Sequence, residues 1–285
     1  MTIKFAGDGS VLAKANRDGQ VQVWNPYAGT LVAEFKTVHD GQSRLAIDFG
    51  GQRIFAANWR SGESGGVACY DVASGVPIWH RTDIMQVQTM EFSPREDGVW
   101  CEIEGRPVHY LDGRTGLTSA VMENVERVFE SSFTSHTLLF RSCDLALETG
   151  NHSVTIPRHG RPKRAVFSSD AAYVAELFPS LVRCIEIETG KERWRYECPD
   201  DHFLQSISFQ SDGFLYCVQP SGQGGRAERK TVLIRLEPEN GFCTQVCQTD
   251  STVRPDNAFG NGVLVTLIGE VFSVATGASL RRLAF

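Results

Sequence analysis

The chain carries seven histidines and eight cysteines, residue types that hold metals or attack substrates, so their spacing comes first. The cysteines stand at Cys69, Cys101, Cys143, Cys184, Cys198, Cys217, Cys243 and Cys247. There is no C-x-x-C, H-x-H or H-E-x-x-H, and so no local set of zinc ligands. The nearest pair, Cys243 and Cys247, would share one face of a regular strand about 13 Å apart at roughly 3.3 Å per residue, too far to share one zinc. Dispersed thiols in a chain without an export signal are expected to be reduced and buried. The glycine-rich stretches Ser64-Gly65-Gly66 and Gly222-Gln223-Gly224-Gly225 lack the Gly-Lys-Ser or Gly-Lys-Thr ending that holds phosphate and magnesium. A G-x-S-x-G nucleophile elbow needs a strand, a turn and a helix, a setting this sequence does not offer. These residues predict no enzyme, no cofactor and no metal site. The alternative is a metal-dependent hydrolase or lyase whose carboxylates and histidines meet only in the fold.

Charge carries a second signal. Lys plus Arg number 28 against 34 Asp plus Glu, a net of −6, which argues against a general nucleic-acid binder. Cations nonetheless concentrate in two segments, Arg158, Arg161, Lys163 and Arg164, and then Arg226, Arg229 and Lys230. Arginines so placed can grip carboxylates or phosphates through two parallel hydrogen bonds. Asp200, Asp201 and Glu228 partly offset them. Trp59 beside Arg60 has the makeup of an interface anchor, and His202 joins the same group of candidate partner-binding residues.

These residues must be positioned by repeated elements. A strand ending at a phenylalanine and followed by a polar turn recurs seven times, at Phe5, Phe49, Phe92, Phe133, Phe167, Phe209 and Phe259. Interleaved with it, a strand runs into a turn ending in glycine, at Gly29, Gly75, Gly116, Gly150, Gly190, Gly241 and Gly277. Five residues before each glycine stands an apolar side chain: Trp24, Tyr70, Leu111, Leu145, Ile185, Leu236 and Phe272. In three units Asn25, Asp71 or Asp112 follows it, suited to bonding the turn's own backbone, while glycine supplies positive φ. Between the markers apolar residues alternate with period two, the pattern of strands. Four strands in about 41 residues, seven times over, predict an all-β fold, a single seven-bladed β-propeller with four antiparallel strands per blade.

The expected blades are residues 1–40, 41–84, 85–124, 125–160, 161–200, 201–250 and 251–285, with blade seven packing on blade one and no strand exchanged between them. Two connections between second and third strands are enlarged, 60–66 and 219–230. They should emerge with the fourth-to-first links 157–164, 199–202 and 250–256, which makes that face the expected binding surface.

The units resemble those of the WD40-like and quinoprotein-like (PQQ-repeat) propeller superfamily. The Phe-Ser-x-Asp-Gly turn is similar to the first-strand end of WD repeats. Asp71-x-x-Ser74-Gly75-x-x-x-Trp79 and Glu186-x-x-Thr189-Gly190-x-x-x-Trp194 are similar to the quinoprotein core. The Trp-Asp and Gly-His pairs of WD40 blades are missing. The resemblance implies a rigid scaffold that binds another protein. Quinone-dependent enzymes of this kind are longer, exported and calcium-dependent, and carry adjacent cysteines, none of which is seen here.

The N-terminus shows no secretory pattern and no stretch approaches the length of a membrane span, so a cytoplasmic protein with no membrane role is expected. The 22 arginines against 6 lysines suggest a GC-rich bacterial genome. The functional expectation is a monomeric, non-enzymatic protein-binding propeller, in one version the immunity partner that neutralises a cognate toxin or effector. A binder of anionic ligands through the basic loops is the other alternative.

Overall fold

The structure is a computed structural model and describes residues 2–38, 43–58, 65–130, 136–141, 145–149, 152–157, 159–198, 204–221, 230–249, 258–266 and 268–284. The chain forms a seven-bladed β-propeller. Each blade is a sheet of four consecutive antiparallel strands in the order first, second, third, fourth. The seven sheets run over 2–36, 43–81, 87–122, 125–156, 164–197, 206–249 and 258–282, and none takes a strand from another. No helix occurs among the described residues.

Burial separates the strands by role. Second strands such as Leu12–Ala15 and Gly98–Ile103 are buried at every residue. Fourth strands such as Thr30–Lys36 and Ser279–Arg282 are largely exposed, which makes them the outer edges. First strands mix buried and half-buried residues, with strict alternation in Arg164–Phe167. They touch the first strands of neighbouring blades, Thr2–Phe5 against Ser43–Ile47 and Arg164–Phe167 against Ser206–Phe209.

Packing divides the chain into two compact units, 1–128 with 140–142 and 285, and 129–139 with 143–284. In the first, Ile54, Leu45, Val21 and Tyr70 fill the space between blades 1 and 2, with Phe35 stacked on Tyr70 at 5.3 Å. Phe55, Cys69, Met90 and Leu111 do the same between blades 2 and 3. In the second, Trp194, Cys184, Cys217 and Ile234 join blades 5 and 6.

The repeat markers have distinct physical tasks. All seven apolar residues five before the glycines are buried. Asn25 Oδ1 accepts from the N–H groups of Tyr27 and Ala28, and Asp112 Oδ1 from those of Arg114 and Thr115 and from the Thr115 hydroxyl. The N–H of Gly116 closes the turn on the Asp112 carbonyl at 2.9 Å. Its φ is +71°, and a Cβ there would sit 2.6 Å from the Trp79 ring. The Trp79 indole in turn donates to the Gly113 carbonyl of the next blade at 3.0 Å. Trp194 repeats this on Gly241 and the Pro238 carbonyl. Glycine is therefore required twice over, by backbone conformation and by the aromatic side chain of the preceding blade that covers it.

Two sequence expectations shift. The residue that closes the first strand of blade 2 is Ile47, which pairs with Ile54 as Phe5 pairs with Leu12. Phe49 lies two residues beyond it, exposed, with its ring over Gly7. In blade 6 a bulge opposite Leu233 and Ile234 breaks the regularity between Cys243 and Cys247. The extra residue turns Cys243 toward blade 5 and Cys247 toward blade 7, so they do not share a face. The same bulge recurs between third and fourth strands in blades 1, 2, 3, 5 and 7.

Candidate functional site

The connection before blade 5 carries the basic segment. Beneath it, Glu176 in the second strand Tyr173–Leu177 is fully buried and lies across the sheet from Arg183 in the third strand. Arg183 Nε donates to Glu176 Oε2 at 2.7 Å, and Nη1 donates to the Pro157 carbonyl, also at 2.7 Å. The Arg183 guanidinium lies over the Phe178 ring, and His159 meets that ring edge-on at 5.4 Å. A buried ion pair thus reaches out to fix the start of the connection. Burial pushes the Glu176 carboxyl up despite the neighbouring guanidinium.

From this base Arg161 and Lys163 stand exposed on either side of buried Pro162. The Lys163 N–H extends the ladder to the Leu177 carbonyl at 2.7 Å, and partial desolvation lowers its ammonium. Arg164 is not part of the loop. It opens the first strand of blade 5, paired with Leu177 and half-buried. Lys230 opens the third strand of blade 6 opposite Ser221. Trp59, Arg60, Arg158, His202, Arg226 and Arg229 lie outside the described residues.

The enzyme alternative needs polar groups that the fold gathers from distant parts of the chain. Asp48, Glu102 and Glu176 are the buried carboxylates among the described residues, and each is held by an arginine, Asp48 by Arg53 at 3.1 Å and Glu102 by Arg127 at 2.8 Å. No group of three His, Cys, Asp or Glu with metal-binding geometry occurs among the described residues. The sequence Gly62-Glu63-Ser64-Gly65-Gly66 fits the G-x-S-x-G pattern, but it connects the strands Arg53–Asn58 and Val67–Asp71 and no helix follows it. No disulfide joins the described cysteines to one another, and burial raises the thiols of Cys69 and Cys184 to about 12, far from reactive thiolates.

Sequence reasoning missed the polar face of the first strands. Counting back three residues from the strand-closing position gives Thr2, Arg44, Thr89, Arg164 and Ser206 in blades 1, 2, 3, 5 and 6. One residue before closure stand Lys4, Ala46 and Glu91 in blades 1 to 3, and Lys4 Nζ donates to Glu91 Oε1 at 3.0 Å, past the blade between them. These positions alternate with the core residues Ile3, Leu45 and Met90, a two-residue period visible only once the register is known.

No protein-family model matches the chain, and no curated protein matches it. Among solved structures 1371 chains match, so the architecture is too widely shared to discriminate between functions. One is the β-propeller domain of Cps50 (Swd1) from Myceliophteria thermophila, at 12% identity and a TM-score of 0.68 over 97% of this chain and 93% of that one. At that identity the likeness concerns the fold.

Proposed function

We propose that this chain is a non-enzymatic protein-binding module, a propeller that offers the ends of its blades bearing the second-to-third and fourth-to-first connections to a partner protein. The observation carrying the proposal is the display of Arg161 and Lys163 on a connection braced from below by Arg183, Glu176 and Phe178. A preformed cationic loop loses little freedom on binding, which favours recognition of an acidic surface. The fold agrees, since propellers typically serve as interaction scaffolds. Arg158, His202, Arg226, Arg229 and Lys230 are proposed to widen the surface, and Trp59 with Arg60 to serve as an anchor on blade 2. The finer reading is a monomeric cytoplasmic bacterial protein that neutralises a cognate toxin, built from quinoprotein-like repeats in which Trp79 and Trp194 dock on the next blade.

The test is capture of partners from the native lysate with the wild-type protein and with an Arg161→Glu, Lys163→Glu double variant. One protein retained in one-to-one ratio, and lost from the variant while its unfolding midpoint stays unchanged, is the expected result. No stoichiometric partner, or equal capture by the variant, would sink the proposal. The toxin version further requires that the captured protein be toxic when expressed alone and harmless alongside this chain.

A further inference from the structure

The first strands of blades 2 and 3 place Arg44 and Thr89 at the same register position on neighbouring strands of the first unit. Arg44 is half-buried, and its Nε has no hydrogen-bond partner among the described residues although that atom is out of contact with solvent. The Thr89 Oγ1 is likewise buried and without a partner among them. A guanidinium donor and a hydroxyl left unsatisfied on adjoining strands are each costly unless something completes them. Blades 5 and 6 of the second unit repeat the arrangement: Arg164 occupies the register position of Arg44, and Ser206 that of Thr89, its Oγ buried and again without a partner among the described residues. The strands of Arg164 and Ser206 are also neighbours.

We infer that Arg44 and Thr89 form a binding site for a carboxylate, on the face of the first strands that also carries Lys4 and Glu91. A planar guanidinium offers a carboxylate parallel N–H donors, and a hydroxyl from the adjoining strand can donate to it as well. Local charge selects the class of anion. Two residues from Thr89 on the same face stands Glu91, already paired with Lys4, and across the ladder from Thr89 stands buried Glu102, already paired with Arg127, so Arg44 contributes one uncompensated positive charge. That balance suits a monoanion, and the nearby carboxylate opposes a phosphate dianion. The inference is independent of the proposed partner surface.

The test is a titration of the isolated chain at constant ionic strength, following the Arg44 Nε–H signal by NMR. The probes are propionate, inorganic phosphate and acetyl-Gly-Glu-Gly-amide, whose only carboxylate is a glutamate side chain. Propionate should shift the signal saturably, and Thr89→Val, close in shape and well suited to a strand, should weaken binding about tenfold through loss of one hydrogen bond to a charged group. Arg44→Leu should abolish the effect. A peptide response alongside propionate assigns the site to acidic side chains of a protein, and propionate alone assigns it to a free small carboxylate. No saturable shift, an unchanged affinity in Thr89→Val, or phosphate binding as tightly as propionate would overturn the inference.

Discussion

At the glycine-turn end of the blades, local chemistry repeats. Asn25, Asp71 and Asp112 bond their own turns, and Trp79 and Trp194 each seal the glycine turn of the next blade with the same indole-to-carbonyl hydrogen bond. At the opposite end the links are specific to one blade and join residues of opposite charge: Glu102 with Arg127 of the following blade, and Glu176 with Arg183. One end is therefore built mainly of interchangeable parts that hold the scaffold, with one singular link, Arg53 to Asp48 and to Asp97 of the next blade. The other is made of singular ones that shape what the scaffold displays.

The largest effect should come from breaking a singular part. Glu176→Ala leaves Arg183 buried without its counter-ion and is expected to cost about 3 to 5 kcal/mol, read by denaturant unfolding. Joining it to Arg183→Met should recover most of the loss. A cost below about 1 kcal/mol would show that the pair does not hold the blade 5 connection.

Removing a repeated part comes next. Trp194→Ala and Trp79→Ala should each cost about 3 kcal/mol, and their similarity is the point, since both rings perform one task in different blades. A difference larger than about 2 kcal/mol between them would contradict interchangeability.

Glycine substitutions divide the turn's demand into its two parts. Gly105 has φ +65° with open space around it, whereas Gly116 has φ +71° and the Trp79 ring 2.6 Å from where a Cβ would sit. Gly105→Ala isolates the backbone cost at about 1 kcal/mol, and Gly116→Ala should exceed it because the ring must also move. Equal losses in denaturant unfolding would mean that the indole gives way freely.

The smallest effect is on pH dependence, and its sign differs between the two ends. The Thr115 hydroxyl and N–H hold the Asp112 carboxyl below its ordinary value, so this turn's contribution is present above the unfolded-state pKa and is lost as pH falls through the folded one. Asp112 is close to solvent, so the contribution should stay below about 0.5 kcal/mol. Burial raises Glu176, so there the sign reverses and stability is gained as pH falls through its folded pKa. Unfolding measured from about pH 7 down to pH 3 should therefore fall less steeply in Asp112→Asn than in wild type, and more steeply in Glu176→Gln.

The interchangeable parts were the legible ones. The turn glycines, the capping Asn25, Asp71 and Asp112 and the buried residues before them lie within six positions of one another, so a repeat reveals them without any tertiary contact. Blade number and strand order followed from the same local pattern. The pattern misled where a marker was present by type but displaced, as Phe49 stood in for Ile47. It was also silent on the bulges that turn Cys243 and Cys247 to different blades.

By itself, the sequence determined the fold, because each blade's turns and alternation are short-range and are written seven times. The tertiary structure alone decided which polar residues meet. Arg183 sits opposite Glu176 through strand register, Lys4 reaches Glu91 across 87 residues of chain, and Arg44 comes beside Thr89 through the packing of first strands. None of these pairs recurs at a fixed spacing in the chain, because strand register brings the first together and the stacking of sheets the other two.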